Sequence, residues 1–396
     1  MKICFLQNVI SPHILPLAKS VANVAGYKQF CYCAVERITQ QRRNLGWEDN
    51  IDAEWIVQYD KSKYADKNKF YSEVGVYDAG LLVSGVREWD VFEERLKCNL
   101  PSIYVSERWF KPKIGILRLF SPRFWRMAKK FAHMIIKNEH LFYFPIGIHA
   151  ARDMARLCGL MNGDWKCLFC APKLGFDKRP GGRIYLASKE NSKKSKKYCL
   201  DKMRMWGYFV APSDCAHKEV KKNTVKEVKE IRLLWVGRLI RLKRVDTIIR
   251  AVIGYVDLMK GDTSLPKITL DIYGAGPEED NLKKYAKKYE DTIRFYPPVS
   301  IETVRRLMQN HDVYILASNG YEGWGAVVSE ALEEGMKVLG TYEAGASATI
   351  LSTNNLFHSG KWKDLLSLLF KDLAPSGIGL WSAENAAIYV KDFNGN

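Results

Sequence analysis

The chain has 396 residues, 47% hydrophobic and 27% charged, which excludes a disordered protein and allows one long domain or, as the length favours, two. No stretch approaches the roughly 18 uninterrupted apolar residues of a membrane span, and the first six residues are typical of a strand and not of a signal peptide, so we expect a cytoplasmic protein. The net charge of +17 favours nucleic acid, an anionic membrane surface or a phosphate-rich substrate as partner.

Nine cysteines do not change this expectation. Cys31-x-Cys33 and Cys167-x-x-Cys170 are isolated pairs, whereas a structural zinc usually needs a second pair or a His pair at matching spacing. We therefore expect reduced, buried thiols and no bound metal.

Short apolar runs alternate with helical patterns along the first half. The predicted strands lie at 2–6, 29–34, 81–84, 102–105 and 141–148, and the predicted helices at 14–25, 89–97 and 149–160. This alternation predicts a doubly wound parallel sheet, which binds ligands beyond the carboxyl ends of its strands. Ser11, His13 and Glu107 follow two of those strands.

Residues 107–140 interleave aromatic and basic side chains. This pattern suits an amphipathic surface in an anionic bilayer interface, or equally a helix packed on the core with a solvated basic face. Single-stranded nucleic acid is a third interpretation, which we rank lower because no RNP motif or zinc finger is present.

The second half predicts another doubly wound sheet, with strands at 231–236, 268–273, 292–296, 313–317 and 336–340 and a small-residue loop at 345–348. The lysine-rich, weakly patterned stretch 181–229 indicates the connection between domains. We expect a first domain over 1–212, a linker over 213–229, a second domain over 230–375 and a C-terminal helix over 376–396 that crosses back to the first.

A glycine-rich loop follows the strand at 313–317 and contains Glu322, and Glu330 lies eight residues further on, in an apolar helix. A carboxylate there must reach solvent or have a partner, so both glutamates are either site residues or ordinary surface residues. Other strand ends offer Arg238 and Lys243, and the glycines Gly274 and Gly276. Cations for phosphate, glycines for close backbone approach and acids for hydroxyls predict a nucleotide-sugar site.

These motifs resemble those of the family-4 retaining glycosyltransferases over residues 230–350. The resemblance is carried by 235–239 (Trp-Val-Gly-Arg-Leu), Lys243, 272–277 (Ile-Tyr-Gly-Ala-Gly-Pro), and Glu322-x7-Glu330 closed by Gly335 and Val338. It implies the GT-B architecture of two Rossmann-like domains facing across a cleft, with a nucleoside-diphosphate sugar as donor.

The resemblance also implies roles for individual residues. Arg238 and Lys243 would hold the diphosphate, Glu330 the ribose, and Glu322 would act with both cations in catalysis. The implied donor-binding set is Gly237, Arg238, Lys243, Gly274, Gly276, Tyr296, Glu322, Gly323, Trp324, Gly325 and Glu330. Ser11, His13 and Glu107 would face the acceptor. One departure is Arg244, since many relatives have Gly after the phosphate lysine.

The implied reaction keeps the anomeric configuration and needs no metal, because no Asp-x-Asp motif occurs in the sequence. With the basic first half, we expect a lipid-linked saccharide acceptor at the inner face of a membrane, in the synthesis of a cell-surface polysaccharide. The alternatives are a soluble glucan- or disaccharide-forming transferase of the same fold, and a catalytically silent protein that binds nucleotide sugar or nucleic acid.

Overall fold

The computed structural model describes residues 1–43, 47, 51–110, 121–187, 192–212, 230–260, 265–371 and 381–393. The chain forms two compact units. Unit 1 comprises Met1–Val210 and Leu380–Asn396, and unit 2 comprises Ala211–Gly379. The expected linker at 213–229 lies outside the described residues.

Strands and helices alternate through both units. Up to residue 197 they are β1 (Ile3–Gln7), α1 (Leu15–Ala25), β2 (Phe30–Ala34), α2 (Gln40–Arg43), β3 (Ile56–Gln58), α3 (Lys67–Glu73), β4 (Leu81–Ser84), α4 (Trp89–Lys97), β5 (Ser102–Ser106), α5 (Pro122–Lys137), β6 (Leu141–Pro145), α6 (Ile148–Met161), β7 (Leu174–Phe176), β8 (Ile184–Leu186) and α7 (Ser192–Lys197). From residue 230 they are β9 (Glu230–Val236), α8 (Val245–Leu258), β10 (Lys267–Tyr273), α9 (Glu279–Ala286), β11 (Ile293–Tyr296), α10 (Ile301–Asn310), β12 (Val313–Leu316), α11 (Val327–Glu333), β13 (Lys337–Thr341), α12 (Gly345–Ile350), β14 (Leu356–Phe357), α13 (Trp362–Leu369) and α14 (Ala383–Lys391).

The main sheet of unit 1 has six parallel strands in the order β3-β2-β1-β4-β5-β6. Strands β1, β2, β4 and β6 are buried along their whole length, as their continuous apolar sequences require when helices cover both faces. Helix α14 belongs to this unit, where it packs against α1, and Phe393 beyond it contacts Phe142 at a ring distance of 4.9 Å.

The sheet of unit 2 repeats this topology, with six parallel strands in the order β11-β10-β9-β12-β13-β14. Its core joins the central strands to α8 and α13, as at Trp235, Ile249, Ile272 and Leu365. In each unit the strand order reverses once, between β1 and β4 or between β9 and β12. These are the points where doubly wound sheets open a crevice at the carboxyl ends of their strands.

The basic aromatic segment packs largely on the core. Trp109 stacks on Phe131 with ring centroids 5.6 Å apart, and both are buried, as are Phe110 and Ile135. Of the two equal interpretations of this segment, packing on the core therefore holds for these residues, and the exposed aromatic surface is wrong for them. The exposed positions of α5 include three basic side chains, Arg126, Lys129 and Lys130. Residues 111–120 lie outside the described part of the chain.

Residues 345–348 form the start of helix α12, not the predicted loop. Gly345, Ala346 and Ser347 are buried, and Thr349 Oγ1 donates to the Gly345 carbonyl at 2.7 Å. Small side chains let this helix approach the neighbouring backbone closely, because a Cβ on Gly345 would lie 2.3 Å from the Gly323 carbonyl oxygen.

None of the helices in the described ranges is long and apolar enough for a bilayer crossing.

Candidate functional site

The strand-order reversal in the sheet of unit 2 brings together two predicted site residues. Lys243, in a 3-10 helix (Arg241–Lys243) beyond β9, places its Nζ 2.5 Å from Oε2 of Glu322 in the loop after β12. Ser318 Oγ donates to the same oxygen at 2.9 Å. The backbones are also joined, since Asn319 N donates to the Leu242 carbonyl at 2.9 Å. Both charged side chains are largely but not wholly buried, at 20% and 15% exposure, so the pair lies at the surface of this crevice.

Arg238 lies in the same loop and has a different environment. Its side chain is exposed, and no carboxylate in the described part of the chain pairs with it. Of the two predicted cations, Lys243 is therefore already neutralised by Glu322, whereas Arg238 remains available to an anion. The sequence alone had treated the two cations alike.

Gly274 and Gly276 allow the loop after β10 to contact the loop after β9. A Cβ on Gly274 would lie 1.8 Å from the Gly237 carbonyl oxygen, and one on Gly276 would lie 2.4 Å from that of Leu239. Leu239 N donates to the Ala275 carbonyl at 2.9 Å. From the sequence we expected these glycines to make room for a ligand. In the structure, a side chain at either position would already clash with the neighbouring loop.

Arg244 adopts a left-handed backbone conformation, with φ at 51°. Few non-glycine residues do so, which is consistent with the glycine that the resemblance implies at this position. In this chain the arginine is held by Asp246, whose two carboxylate oxygens accept from Nε and Nη2 at 2.9 Å each.

Glu330 lies half-buried on α11. Burial raises the pKa of Glu330; the charge of Arg305 opposes this effect and the charge of Glu334 adds to it. Within the described ranges, no side chain hydrogen-bonds or ion-pairs with the Glu330 carboxylate. Arg305 itself pairs with Glu334, which also accepts from Gln309 at 2.8 Å, so α10 and α11 are tied beside the glutamate.

Tyr314, in β12, was not among the predicted site residues. It is fully buried, and its hydroxyl donates to the Val236 carbonyl at 3.3 Å. Burial, and then the charges of Glu322 and Glu330, raise the pKa of Tyr314. The charges of both carboxylates therefore influence the same buried hydroxyl. The sequence does not reveal that a tyrosine within a buried strand lies within electrostatic reach of these two glutamates.

Tyr296 stacks on Tyr273, which is not among the predicted site residues. The rings of Tyr296 and Tyr273 lie 4.5 Å apart at 13°, since the two residues are paired in β11 and β10. Phe295 packs against the hydrophobic core. Tyr296, a member of the implied donor-binding set, therefore presents its ring together with that of Tyr273.

Trp324 is buried, so only its backbone is placed to meet a ligand. Its carbonyl accepts from Ala346 N at 2.8 Å, which fastens the glycine-rich loop to α12. Gly325 has a φ of 90°, a conformation that favours glycine.

Unit 1 brings its three candidates together through Tyr208, which lies in the apolar run 206–210. The His13 ring stacks on Tyr208 with centroids 5.6 Å apart, and the Tyr208 hydroxyl donates to Glu107 Oε1 at 3.0 Å. Ser11 Oγ accepts a hydrogen bond from His13 N at 3.3 Å. The ring of Trp47 contacts the His13 ring edge-on, with centroids 5.6 Å apart. This cluster lies at the carboxyl ends of β1 and β5.

Burial determines the charge state of this cluster. It lowers the pKa of His13, which favours the neutral imidazole, and raises the pKa of Tyr208, with Glu107 as a further cause. The cluster therefore presents aromatic rings, a neutral histidine and one carboxylate, in contrast with the cations of unit 2.

The second half of the chain is similar to known glycosyltransferases. Residues 217–371 match the family model described as glycosyl transferases group 1. Unit 2 carries a glycosyltransferase group 1 domain. An uncharacterized glycosyltransferase of Methanocaldococcus jannaschii is 28% identical over 177 residues, which is 44% of this chain and 44% of the relative.

Two further proteins are similar to this chain, one in sequence and one in fold. The GtfA subunit of the UDP-N-acetylglucosamine–peptide N-acetylglucosaminyltransferase of Streptococcus pneumoniae serotype 4 is 29% identical over 114 residues, 28% of this chain and 21% of that protein. The chain thus spans less than half the length of these curated relatives. The Anabaena protein HepE, solved with UDP, superposes with a TM-score of 0.54 at 14% identity, covering 100% of this chain and 96% of that one. The predicted GT-B fold class is confirmed.

No group of three or more His, Cys, Asp or Glu side chains is arranged to hold a metal ion in the ranges that the structure describes. The thiols of Cys4 and Cys33, and of Cys31 and Cys33, lie 3.7 and 3.5 Å apart without disulfides.

Proposed function

We propose that the protein transfers a sugar, with retention of anomeric configuration and without a metal, from a nucleoside-diphosphate sugar to a saccharide hydroxyl. The observation that carries this proposal is the arrangement at the strand-order reversal in the sheet of unit 2. There Arg238, which has no carboxylate partner among the described residues, lies in the same loop as Lys243, which pairs with Glu322, within the region that matches the glycosyl transferases group 1 model. The streptococcal relative's name specifies UDP-N-acetylglucosamine, and on that basis we propose a uridine diphosphate sugar as donor.

The two cations would stabilise the departing diphosphate in different ways. Arg238 is exposed, and its planar guanidinium suits bidentate hydrogen bonds to phosphate oxygens. Lys243 is held by Glu322, so its charge would act on phosphate in competition with that carboxylate. Negative charge that grows on the leaving group would draw the ammonium away from Glu322, a gain that appears only as the transition state forms.

Glu330 and the tyrosine pair would bind the nucleoside. The Glu330 carboxylate has no hydrogen-bond partner among the described residues and would accept from both ribose hydroxyls. Tyr273 and Tyr296 would provide the stacking surface for the base. Glu322, bound to Lys243 and Ser318, would approach the transferred sugar, as would the backbone of residues 323–325.

The cluster of His13, Tyr208 and Glu107 would bind the acceptor. Aromatic rings suit the apolar faces of sugars, and the carboxylate suits their hydroxyls. We propose a lipid-linked saccharide as acceptor, at the inner face of the membrane, in cell-surface polysaccharide synthesis. This part of the proposal is supported by the net charge of +17, which favours an anionic surface.

A thermal-shift panel tests the donor site. We expect UDP and UDP-sugars to raise the melting temperature more than ADP or GDP, because a ligand of the native state stabilises it by mass action. Arg238→Ala should lose most of the shift, whereas Lys284→Ala, an exposed lysine on α9, should keep it. Equal shifts for Arg238→Ala and wild type would refute the assignment of the diphosphate to this edge.

A further inference from the structure

A cavity lies within unit 1, at the opposite edge of its main sheet from the His13 cluster. Its volume is about 780 Å³, and it opens beside the amino end of β6, where α5 ends and the chain turns into the strand. Residues 203–206 run parallel to β6, so the turn before them closes the other wall. The lining residues are Ile136, Lys137, Glu139, Phe142, Arg183, Ile184, Ser195, Lys196, Cys199, Leu200, Asp201, Lys202 and Arg204.

The polar lining is predominantly basic, with five lysine or arginine residues against two acids. Of these, Lys137, Lys196 and Lys202 form no ion pair with a carboxylate in the described part of unit 1. The Lys202 ammonium is fixed in place by the carbonyls of Ile135 and Asn138, at 2.9 and 2.7 Å, which accept its hydrogen bonds but leave its charge uncompensated. An anion in the cavity would compensate these charges.

The remaining lining is apolar. Ile136, Phe142, Ile184 and Leu200 contribute hydrocarbon to the same walls, and Phe142, Ile184 and Leu200 are buried. A small inorganic anion would leave this surface and most of the volume unused. A ligand that joins a phosphate to an apolar chain would use both parts of the lining.

Exposed aromatic side chains flank the helix that forms one wall. Trp165 and Phe169 are 74% and 83% exposed, at a 3-10 helix (Trp165–Leu168) and the residue after it. This turn is fastened to α7, because Asn162 Nδ2 donates to the Lys197 carbonyl at 2.8 Å and Lys197 Nζ lies 3.7 Å from Asp164. Exposed aromatics beside lysines are typical of a surface that enters a bilayer interface.

We propose that this cavity binds the phosphate of an anionic membrane lipid, with Trp165 and Phe169 inserted beside it. The inference rests on the membrane-bound acceptor of the proposed function and names the surface of unit 1 that meets the bilayer. It replaces the buried aromatics of 107–140 with side chains that solvent reaches. The lipid phosphate is distinct from the donor diphosphate, which unit 2 would hold.

Vesicle co-sedimentation of the full chain tests the lysines. We expect wild type to bind vesicles containing phosphatidylglycerol and not vesicles of phosphatidylcholine alone. Lys137→Gln/Lys196→Gln should weaken binding about tenfold or more, since each basic residue near an anionic surface contributes substantially. Lys287→Gln/Lys288→Gln removes the same charge from exposed positions of unit 2 and should change binding much less. Equal losses in the two double variants would overturn the proposal, as would no binding by wild type.

Two further measurements distinguish the source of the phosphate. Trp165→Ser/Phe169→Ser should reduce vesicle binding while keeping the melting temperature, because both side chains are exposed. Inorganic pyrophosphate that stabilises wild type but not Lys137→Gln/Lys196→Gln, without any vesicle binding, would overturn the lipid and indicate a soluble phosphate. The thermal shift with UDP, measured on the same samples, should be unchanged in all these variants. Loss of that shift in wild type would contradict the donor site and leave the vesicle result to stand alone.

Discussion

The two sheets have the same strand order, but their carboxyl edges carry opposite chemistry. In unit 2 the loops at the reversal present Arg238 to solvent and join Lys243 to Glu322. In unit 1 the corresponding edge packs His13 against Tyr208, and burial favours the neutral histidine. The topology places an edge where ligands bind, and the loop residues decide whether that edge suits an anion or a neutral polar ligand.

The largest effect should come from removing the cations of unit 2. Arg238→Ala and Lys243→Ala should each slow sugar transfer about 100-fold or more, the scale for loss of one group that stabilises developing charge. Release of UDP from a UDP-sugar measures the rate, with Lys284→Ala as the charge-matched control. Wild-type turnover in both variants would remove the basis for contrasting the two edges.

The two glutamates of unit 2 should separate binding from catalysis. Glu330→Gln should weaken UDP about tenfold, because a charged acceptor of ribose hydrogen bonds is lost. Glu322→Gln should keep UDP affinity or raise it, since Lys243 would be released from its carboxylate, and should lower the catalytic rate about tenfold or more. Calorimetry with UDP and initial rates provide both quantities. Identical UDP affinities and identical rates in the two variants would contradict the separate roles that we assign to Glu330 and Glu322.

Unit 1 should respond in acceptor binding alone. Tyr208→Phe removes the hydroxyl that donates to Glu107 while keeping the ring beside His13. We expect the acceptor KM to rise about fivefold, near the value of one hydrogen bond, with UDP affinity unchanged. Tyr185→Phe, at an exposed tyrosine of β8, is the control. A change in UDP affinity for Tyr208→Phe would show that the two edges do not divide the substrates as proposed.

The smallest effect should be on stability, through the ionisation of Glu330. Its folded-state pKa is raised above the ordinary 4.5 by burial, so ionisation destabilises the fold as pH rises above about 4.5 and through the raised pKa. Below 4.5 the carboxyl is protonated in both states and this cost vanishes. Glu330→Gln should therefore raise the melting temperature more at pH 8 than at pH 4. Glu290→Gln, at an exposed position, is the matched control. A gain confined to pH 4 would contradict the sign.

Local patterns were enough to predict both doubly wound sheets, because strand and helix periodicity depends on neighbours in sequence. The runs at 231–236 and 313–317 became β9 and β12 almost residue for residue. The small-residue stretch at 345–348 is predicted as a loop from its composition. In the structure it begins a helix that packs closely against the Gly323 carbonyl, a contact that the stretch's own sequence does not reveal.

The residue types of the site were also evident from the chain itself, since charge and glycine content at strand ends do not depend on packing. Their partners were not. Lys243 and Glu322 are 79 residues apart, and His13 and Tyr208 are 195 apart, so only the fold brings each pair into contact. Tertiary packing also decided that Gly274 and Gly276 serve a neighbouring loop, and that the aromatic side chains of Trp109 and Phe131 face the core. A sequence pattern describes one element at a time, whereas burial and pairing depend on which elements the topology makes neighbours.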